Sequence, residues 1–313
     1  MGGNAMNNHE PHSFKAEDVI NGNSLIPDND WRLLRRLALP DRFNEPQGGT
    51  IKRGLAIDVE ATGLSLQKDD VVQLAMLSFD YEAESGRVID VHKAEAFEAM
   101  REPTVPMSEE ATLVTGITDD MLVGTTIDET DVNRVIETAD LIVAHNAAFD
   151  RPMTEKLWPC FATKPWACSF KSVDWLREGF TAGKLDYIGM QFGWFYDGHR
   201  ALADCEACLA MLTQTLPRSG KRVLELVRDD AYRKDFLVRA VGAPFDEKET
   251  LKDRGYRWRP DNLPNGKVWW TMTSDLEEEL QWLRSEVYRF DKEVPVAEVT
   301  AMNRYSERIW SEL

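Results

Sequence analysis

The sequence is poor in cysteine and histidine, with four and five residues among 313. Four thiols (Cys160, Cys168, Cys205 and Cys208) in a chain of this length do not make a disulfide framework. Cys205 and Cys208 form a C-x-x-C pair, a spacing that zinc and redox sites use, but no histidine-rich partner lies nearby. Residues three apart share one helix face, so both are expected to pack inward. Long apolar runs are missing as well. None approaches the roughly 18 residues that a membrane-spanning helix needs. The opening residues, MGGNAMNNHEPHSF, lack the charged-then-apolar pattern of a secretory signal. The expectation is a cytoplasmic protein without membrane contact.

Positive charge is in short supply: 37 Lys and Arg stand against 54 Asp and Glu, a formal net charge of −17. Such a chain repels phosphate at long range, which disfavours a nucleic-acid partner unless bound cations intervene. The charge is uneven. From Arg218 to Arg259 there are twelve Lys and Arg against eight Asp and Glu, so this stretch carries +4 and the remainder −21.

Three regions follow from the patterning. Residues 1–50 read as an N-terminal extension, polar at first, then a short amphipathic helix over Trp31–Leu37 between Pro27 and Pro40. Residues 51–216 alternate strand and helix signals. Strands are expected at 54–59, 71–79 and 88–97, the last two joined by a Glu84-Ser85-Gly86 turn, and a buried strand at Leu141–Ala144. Helices are expected at 132–138, 148–157, 184–192 and 201–214. This order predicts an α/β fold, a mixed sheet with helices on both faces. Residues 217–313 form a smaller α+β unit. It has a helix to about Val241, a short helix stopped by Gly255, two strands around Tyr256–Trp258 and Val268–Trp270, and a helix from a Ser274/Glu277 capping box to about Tyr288.

Three short segments carry chemistry. Asp58 and Glu60 are two apart on a strand, so their side chains point the same way. Buried together they would repel and lose hydration, and a cation relieves both costs; on an exposed strand end neither cost arises. Asp150 follows the buried strand within Ala144-His145-Asn146-Ala147-Ala148-Phe149-Asp150, where Asn146 suits a helix N-cap and the acid falls in the first turn. That acid can be a ligand or simply complement the helix dipole. His199 precedes an amphipathic helix that holds Asp204 near its start, although a histidine in such a loop is commonly a surface residue. Taken together, the segments are specific. Four carboxylates at the ends of elements bordering one sheet can hold two divalent ions, about 3.5–4 Å apart. Oxygen-only ligands favour Mg²⁺ or Mn²⁺. His199, with an unperturbed pKa near neutrality, suits the general base that takes a proton from water.

The order D-x-E, H-N-x-x-F-D, H-x-x-x-x-D resembles the DEDDh 3′→5′ exonucleases, the polymerase III epsilon-like and exonuclease X-like branch of the ribonuclease H-like superfamily. The resemblance spans about residues 53–214 and fills all five positions: Asp58, Glu60, Asp150, His199 and Asp204. It implies a five-stranded mixed sheet flanked by helices, two bound divalent ions, and release of nucleoside 5′-monophosphates from a 3′ end. It also implies that the backbone at Thr62 and Gly63 binds the terminal nucleotide, that Leu64 wedges against its base, and that His145, Asn146 and Phe149 shape the pocket. The C-terminal unit resembles the module that follows the nuclease domain in exonuclease X-like proteins, through Leu251–Trp258 and Lys267–Trp270. There Tyr256, Trp258 and one of Trp269 and Trp270 are expected to form a small core in preference to stacking on a single strand, and Arg254, Arg257 and Arg259 to contact nucleic acid. This module favours DNA over RNA as substrate. RNA 3′-end trimming is the second enzyme reading, since the motif is blind to the 2′-hydroxyl. A non-catalytic binding module is the third, disfavoured by the intact five residues. No polymerase or repair partner and no oligomeric state can be read from the motifs.

Overall fold

The computed structural model describes residues 32–311. Its organising element is the strand Ile51–Ala61. Its fourth residue is Gly54, and there the ring of Phe79, directly opposite in the antiparallel neighbour Val71–Glu82, occupies the place of a Cβ. On its other side the strand pairs in parallel with Leu141–Ala144, which is wholly buried, and that strand pairs in parallel with Trp166–Cys168. Parallel pairing brings Asp58 and Glu60 to the same end of the sheet as the chain leaving Ala144.

The outer edge of Val71–Glu82 carries two segments, Val88–Val91 and Phe97–Met100. The sequence pattern predicts a single strand over 88–97. The 3₁₀ turn Lys93–Glu95 instead breaks it, and its two halves occupy one row. The sheet thus has five rows, as expected, built from six strands. Its faces are covered by separate cores. Leu55, Ile57 and Val59 pack with the helices Glu129–Thr138 and Ala147–Leu157. Ala56 packs on the opposite face, with the helices Leu185–Gln191 and Ala201–Leu212. By strand alternation, Asp58 and Glu60 share the face of Ala56. Cys205 and Cys208 are unpaired and buried in this second core, as packing residues.

The C-terminal region differs from expectation in several ways. The helix Val223–Tyr232 packs into the core of the nuclease-like sheet, beside Leu212 and Leu216. It stops at Tyr232, and Asp235–Ala240 is a strand where the pattern predicts helix to Val241. Its apolar run Phe236-Leu237-Val238 suits a central strand, and helix and strand cannot be told apart by periodicity in so short a run. That strand pairs with Val268–Thr273 and with Val296–Val299, which the sequence does not reveal, while Arg257–Arg259 forms the far edge. Asp275, not Ser274, caps the next helix, accepting a bond from the Glu278 amide. That helix, Leu276–Trp282, passes into a π-helical turn, Leu283–Tyr288.

The amphipathic helix over 31–37 is also corrected. Trp31 and the preceding residues lie outside the described residues. Arg35–Arg36 is a short strand, parallel to Trp194–Phe195, with the Arg35 and Leu37 amides bonded to the carbonyls of Gly193 and Phe195. Tertiary pairing has overridden a local helical pattern. Among the described residues no helix is long and apolar enough to cross a membrane.

Candidate active site

At the shared end of the two central strands lies a cavity of about 570 Å³. Three elements supply the four acids that the motifs single out, and Asp186, in the first turn of the helix Leu185–Gln191, lines the cavity as well. The strand Ile51–Ala61 presents Asp58 and Glu60, just before a register shift between Glu60 and Ala61. The helix Ala201–Leu212, packed on that face, presents Asp204 from its first turn. One carboxylate oxygen from each of Asp58, Glu60 and Asp204 falls within 4.8 Å of the others. Asp150 lines the same cavity but arrives from the opposite face, on the helix Ala147–Leu157, and its Oδ1 accepts the Val59 amide at 3.3 Å. It therefore stands next to the group of three rather than within it. Divergent helix origins account for this, since the helices that carry Asp150 and Asp204 cover opposite faces of the sheet.

The electrostatics follow from crowding and lost hydration. Burial, then the neighbouring charges of Asp150, Asp204 and Glu60, push the Asp58 carboxyl well above its ordinary range. Burial and Asp204 raise Glu60 to about 7. Burial raises Asp150 to about 8, against the stabilising bond from Val59. Asp204 is raised by burial too, and is partly relieved by bonds from Tyr196 and the Arg200 amide. So many acids cannot all ionise at neutral pH without a compensating cation. The donors are all carboxylate oxygens, which fits hard divalent ions such as Mg²⁺ or Mn²⁺.

The remaining predicted residues divide. His145, Asn146, Phe149 and His199 line the cavity. His145 is fully used by the protein: its Nε2–H donates to the Gly183 carbonyl at 2.8 Å and its Nδ1 accepts from Ser169 at 2.9 Å. Burial lowers its pKa to about 4, so the ring is neutral. Asn146 holds the N-cap position, but its side chain makes no cap bond. His199 is exposed to the cavity and adopts a left-handed backbone, φ 60°. Thr62, Gly63 and Leu64 do not line the cavity. The Thr62 hydroxyl is buried in its own loop, donating to Asp69 at 3.0 Å and accepting from the Asp70 amide. Gly63 sits so close to the Asp69 carboxylate that a Cβ would approach it to 2.7 Å. Leu64 is 88% exposed.

The three C-terminal arginines have different surroundings. Arg259 is 6% exposed, paired with Glu307 at 2.7 Å and stacked over Trp310, which corrects its expected role in nucleic-acid contact. Arg254 is engaged by Glu278 and Glu279 over the ring of Trp282. Arg257 is exposed over Trp270 on the sheet edge, next to the half-exposed Trp258. Tyr256 is buried, as expected, and bonds Glu279 through its hydroxyl.

Two cavity residues carry no signal in the sequence. Lys184 brings a positive charge to the rim, and Tyr196 donates its hydroxyl to Asp204 at 2.7 Å. Neither sits at a spacing that chemistry demands. Tyr196 precedes His199 by three residues in a loop, where sequence distance says little about direction.

Fold and site together define a metal-dependent nuclease-type α/β enzyme. A family model described as Exonuclease, of the RNase T type, matches residues 55–212, half of the chain, and the chain belongs to this family. The motif resemblance to a 3′→5′ exonuclease family agrees with that membership. Among curated relatives, DNA polymerase III PolC-type of Listeria welshimeri is 31% identical over 176 residues, 54% of this chain and 12% of that protein. The Bacillus subtilis protein of the same name is 30% identical over 183 residues, 55% of this chain and again 12% of that protein. The chain thus spans about an eighth of the length of these relatives. Among solved structures, Exonuclease X in complex with 5′ overhanging duplex DNA is 22% identical, with 56% of this chain and 99% of that one covered and a TM-score of 0.39. Escherichia coli Exonuclease I in complex with a dA16 oligonucleotide is 15% identical, covering 81% and 64%, with a TM-score of 0.45.

Proposed function

We propose that the protein hydrolyses the terminal phosphodiester at the 3′ end of DNA, single-stranded or frayed, and releases nucleoside 5′-monophosphates. The observation that carries this reading is the approach of Asp58, Glu60 and Asp204 to within 4.8 Å of one another in the cavity that His199 and Asp150 also line. The acids would hold two divalent ions, Mg²⁺ or Mn²⁺, with Asp150 as the fourth carboxylate. Bound there, the ions supply Lewis-acid activation of water and neutralise charge on the leaving 3′ oxygen.

The residues of the chain do the rest. His199 accepts the proton of the attacking water; its exposed position lets it release that proton to solvent. His145, neutral and doubly bonded, fixes the Gly183–Lys184 segment at the cavity rim. Leu64 and Phe149 offer apolar surface to the terminal base, and the backbone at Thr62 and Gly63, held rigid by Asp69, borders the nucleotide site. A chain with net charge −17 binds polyanions poorly unaided, so occupancy of the acidic cluster by cations also makes the site accessible to phosphate. DNA is favoured because the relatives found by sequence are DNA polymerases, and because Arg257 and Trp258 expose a cation and an aromatic on the C-terminal sheet.

The test is incubation of the protein with 5′-labelled single-stranded DNA, frayed duplex and matched RNA, with and without Mn²⁺. A ladder shortening from the 3′ end of DNA, dependent on Mn²⁺ and absent in Asp150→Ala and His199→Ala proteins, is expected. Faster digestion of RNA would replace DNA as substrate, and unimpaired turnover by Asp150→Ala would remove the mechanism.

A further inference from the structure

The Tyr196–Arg200 loop grips one acid of the cluster from both sides. The Tyr196 hydroxyl donates to Asp204 Oδ1 at 2.7 Å, and the Arg200 amide donates to Oδ2 at 3.0 Å. His199 lies between these two donors in the chain, in a left-handed conformation that L-residues rarely adopt. The ring of Tyr196 is itself anchored. It packs 5.9 Å from the ring of buried Trp194, which fits against Gly189 and lies on the short strand paired with Arg35. The loop, the carboxylate and the histidine therefore form one closed unit. Turning Asp204 breaks the bond from Tyr196, and releasing that bond frees the loop that carries His199.

Resting on the metal-dependent reading above, we infer that Tyr196 is a positioning residue: its hydroxyl fixes the orientation of Asp204 toward a bound divalent ion and holds the His199 loop in register with it. The phenol is suited to this. It is half-buried, and its hydroxyl has Asp204 Oδ1 as an acceptor at 2.7 Å. Bonds of this kind to metal-ligating groups are commonly worth 10–100-fold in metal affinity or activity.

The experiment is direct titration of Mn²⁺ into the unsubstituted and Tyr196→Phe proteins by calorimetry, alongside steady-state kinetics on a single-stranded DNA oligomer. The phenylalanine keeps the ring and its packing and removes only the hydroxyl. Mn²⁺ affinity should fall about ten-fold, kcat should fall at fixed Mn²⁺, and KM for the oligomer should hold. In an Asp204→Asn background the Tyr196→Phe change should weaken Mn²⁺ binding no further. Equal Mn²⁺ affinity in the two proteins would overturn the proposal, as would an effect confined to KM, a further loss in the Asp204→Asn background, or failure of Tyr196→Phe to fold. Absence of Mn²⁺ binding in the unsubstituted protein would instead remove the metal reading itself.

Discussion

The guanidinium of Arg151 donates to the Met302 carbonyl at 2.6 Å, across some 150 residues of chain. Arg151 directly follows Asp150 and is fully buried. It also donates to the carbonyls of Ala301 and Arg304, at 3.0 and 2.9 Å, and pairs with Glu155 at 2.7 Å. The Trp166 amide, at the edge of the main sheet, donates to the Ala301 carbonyl as well. The 300–306 segment is thus part of the wall that supports the Asp150 helix. Arg151→Ala would strip the Arg304 carbonyl of its donor and take one partner each from the Ala301 and Met302 carbonyls and the Glu155 carboxylate, which Trp166, Arg308 and Ser306 still reach. A loss of about 1–3 kcal/mol is expected, the usual cost of leaving a buried acceptor without its donor, read as a lower denaturant midpoint. A loss below about 1 kcal/mol would show that the segment does not brace the helix.

The crowded acids make stability depend on pH in a direction opposite to most carboxylates. Glu60 at about 7 and Asp150 at about 8 hold protons in the folded protein that the unfolded chain has already lost above about 4. The unfolded chain therefore binds fewer protons between about pH 4 and 8, and stability falls as pH rises through that window. With chelator present, the melting temperature should fall from pH 5 to pH 8. Adding Mn²⁺ should raise it most at pH 8, where the acids are ready to ionise and a cation has the most to offset. Equal stabilisation at pH 5 and 8 would place the ion elsewhere.

The arginines of the C-terminal sheet separate a structural role from a binding role. Arg259 is sealed against Glu307 and Trp310, whereas Arg257 is exposed on the edge strand. Arg257→Ala should weaken binding of single-stranded DNA and reduce the salt dependence of log Kd by about 0.7 units, the signature of one lost phosphate contact on a single strand. Arg259→Ala should lower thermal stability and leave that slope unchanged. A slope unaffected by Arg257→Ala would detach this edge from the nucleic acid.

Much of the site is legible in the sequence because its chemistry dictates spacing. Two acids two apart on a strand must share a face, and an acid in the first turn after a buried parallel strand must reach the same sheet end. Asp58, Glu60 and Asp204 approach one another, and Asp150 lines the same cavity beside them. The illegible part depends on directions that loops and tertiary pairing set. Tyr196 reaches Asp204 only because its ring is pinned by Trp194. Arg259 resembles Arg257 in sequence, yet it faces Trp310, supplied from 51 residues later. Arg35–Arg36 is a strand because Gly193 and Phe195 offer carbonyls that no local pattern announces. The Asp235–Ala240 strand reads as helix in the sequence because a short apolar run satisfies either period.

His199 offers a test that sets function against stability at a single position. Its φ of 60° lies where glycine is at ease and L-residues pay. It is exposed, so its removal takes little packing with it. His199→Gly should therefore raise stability by about 0.5–1 kcal/mol, the strain relieved less the extra chain entropy that glycine loses on folding. Loss of the proposed general base should at the same time lower kcat by about 10²–10⁴-fold. The two effects are read separately, by denaturant unfolding with chelator present and by single-turnover digestion of a labelled oligomer. A destabilised His199→Gly protein would mean that the imidazole is a structural anchor, and its strained backbone would then have to be explained by packing rather than by a role at the reacting phosphate. A stabilised protein with unchanged kcat would leave the proton of the attacking water to some other acceptor in the cavity.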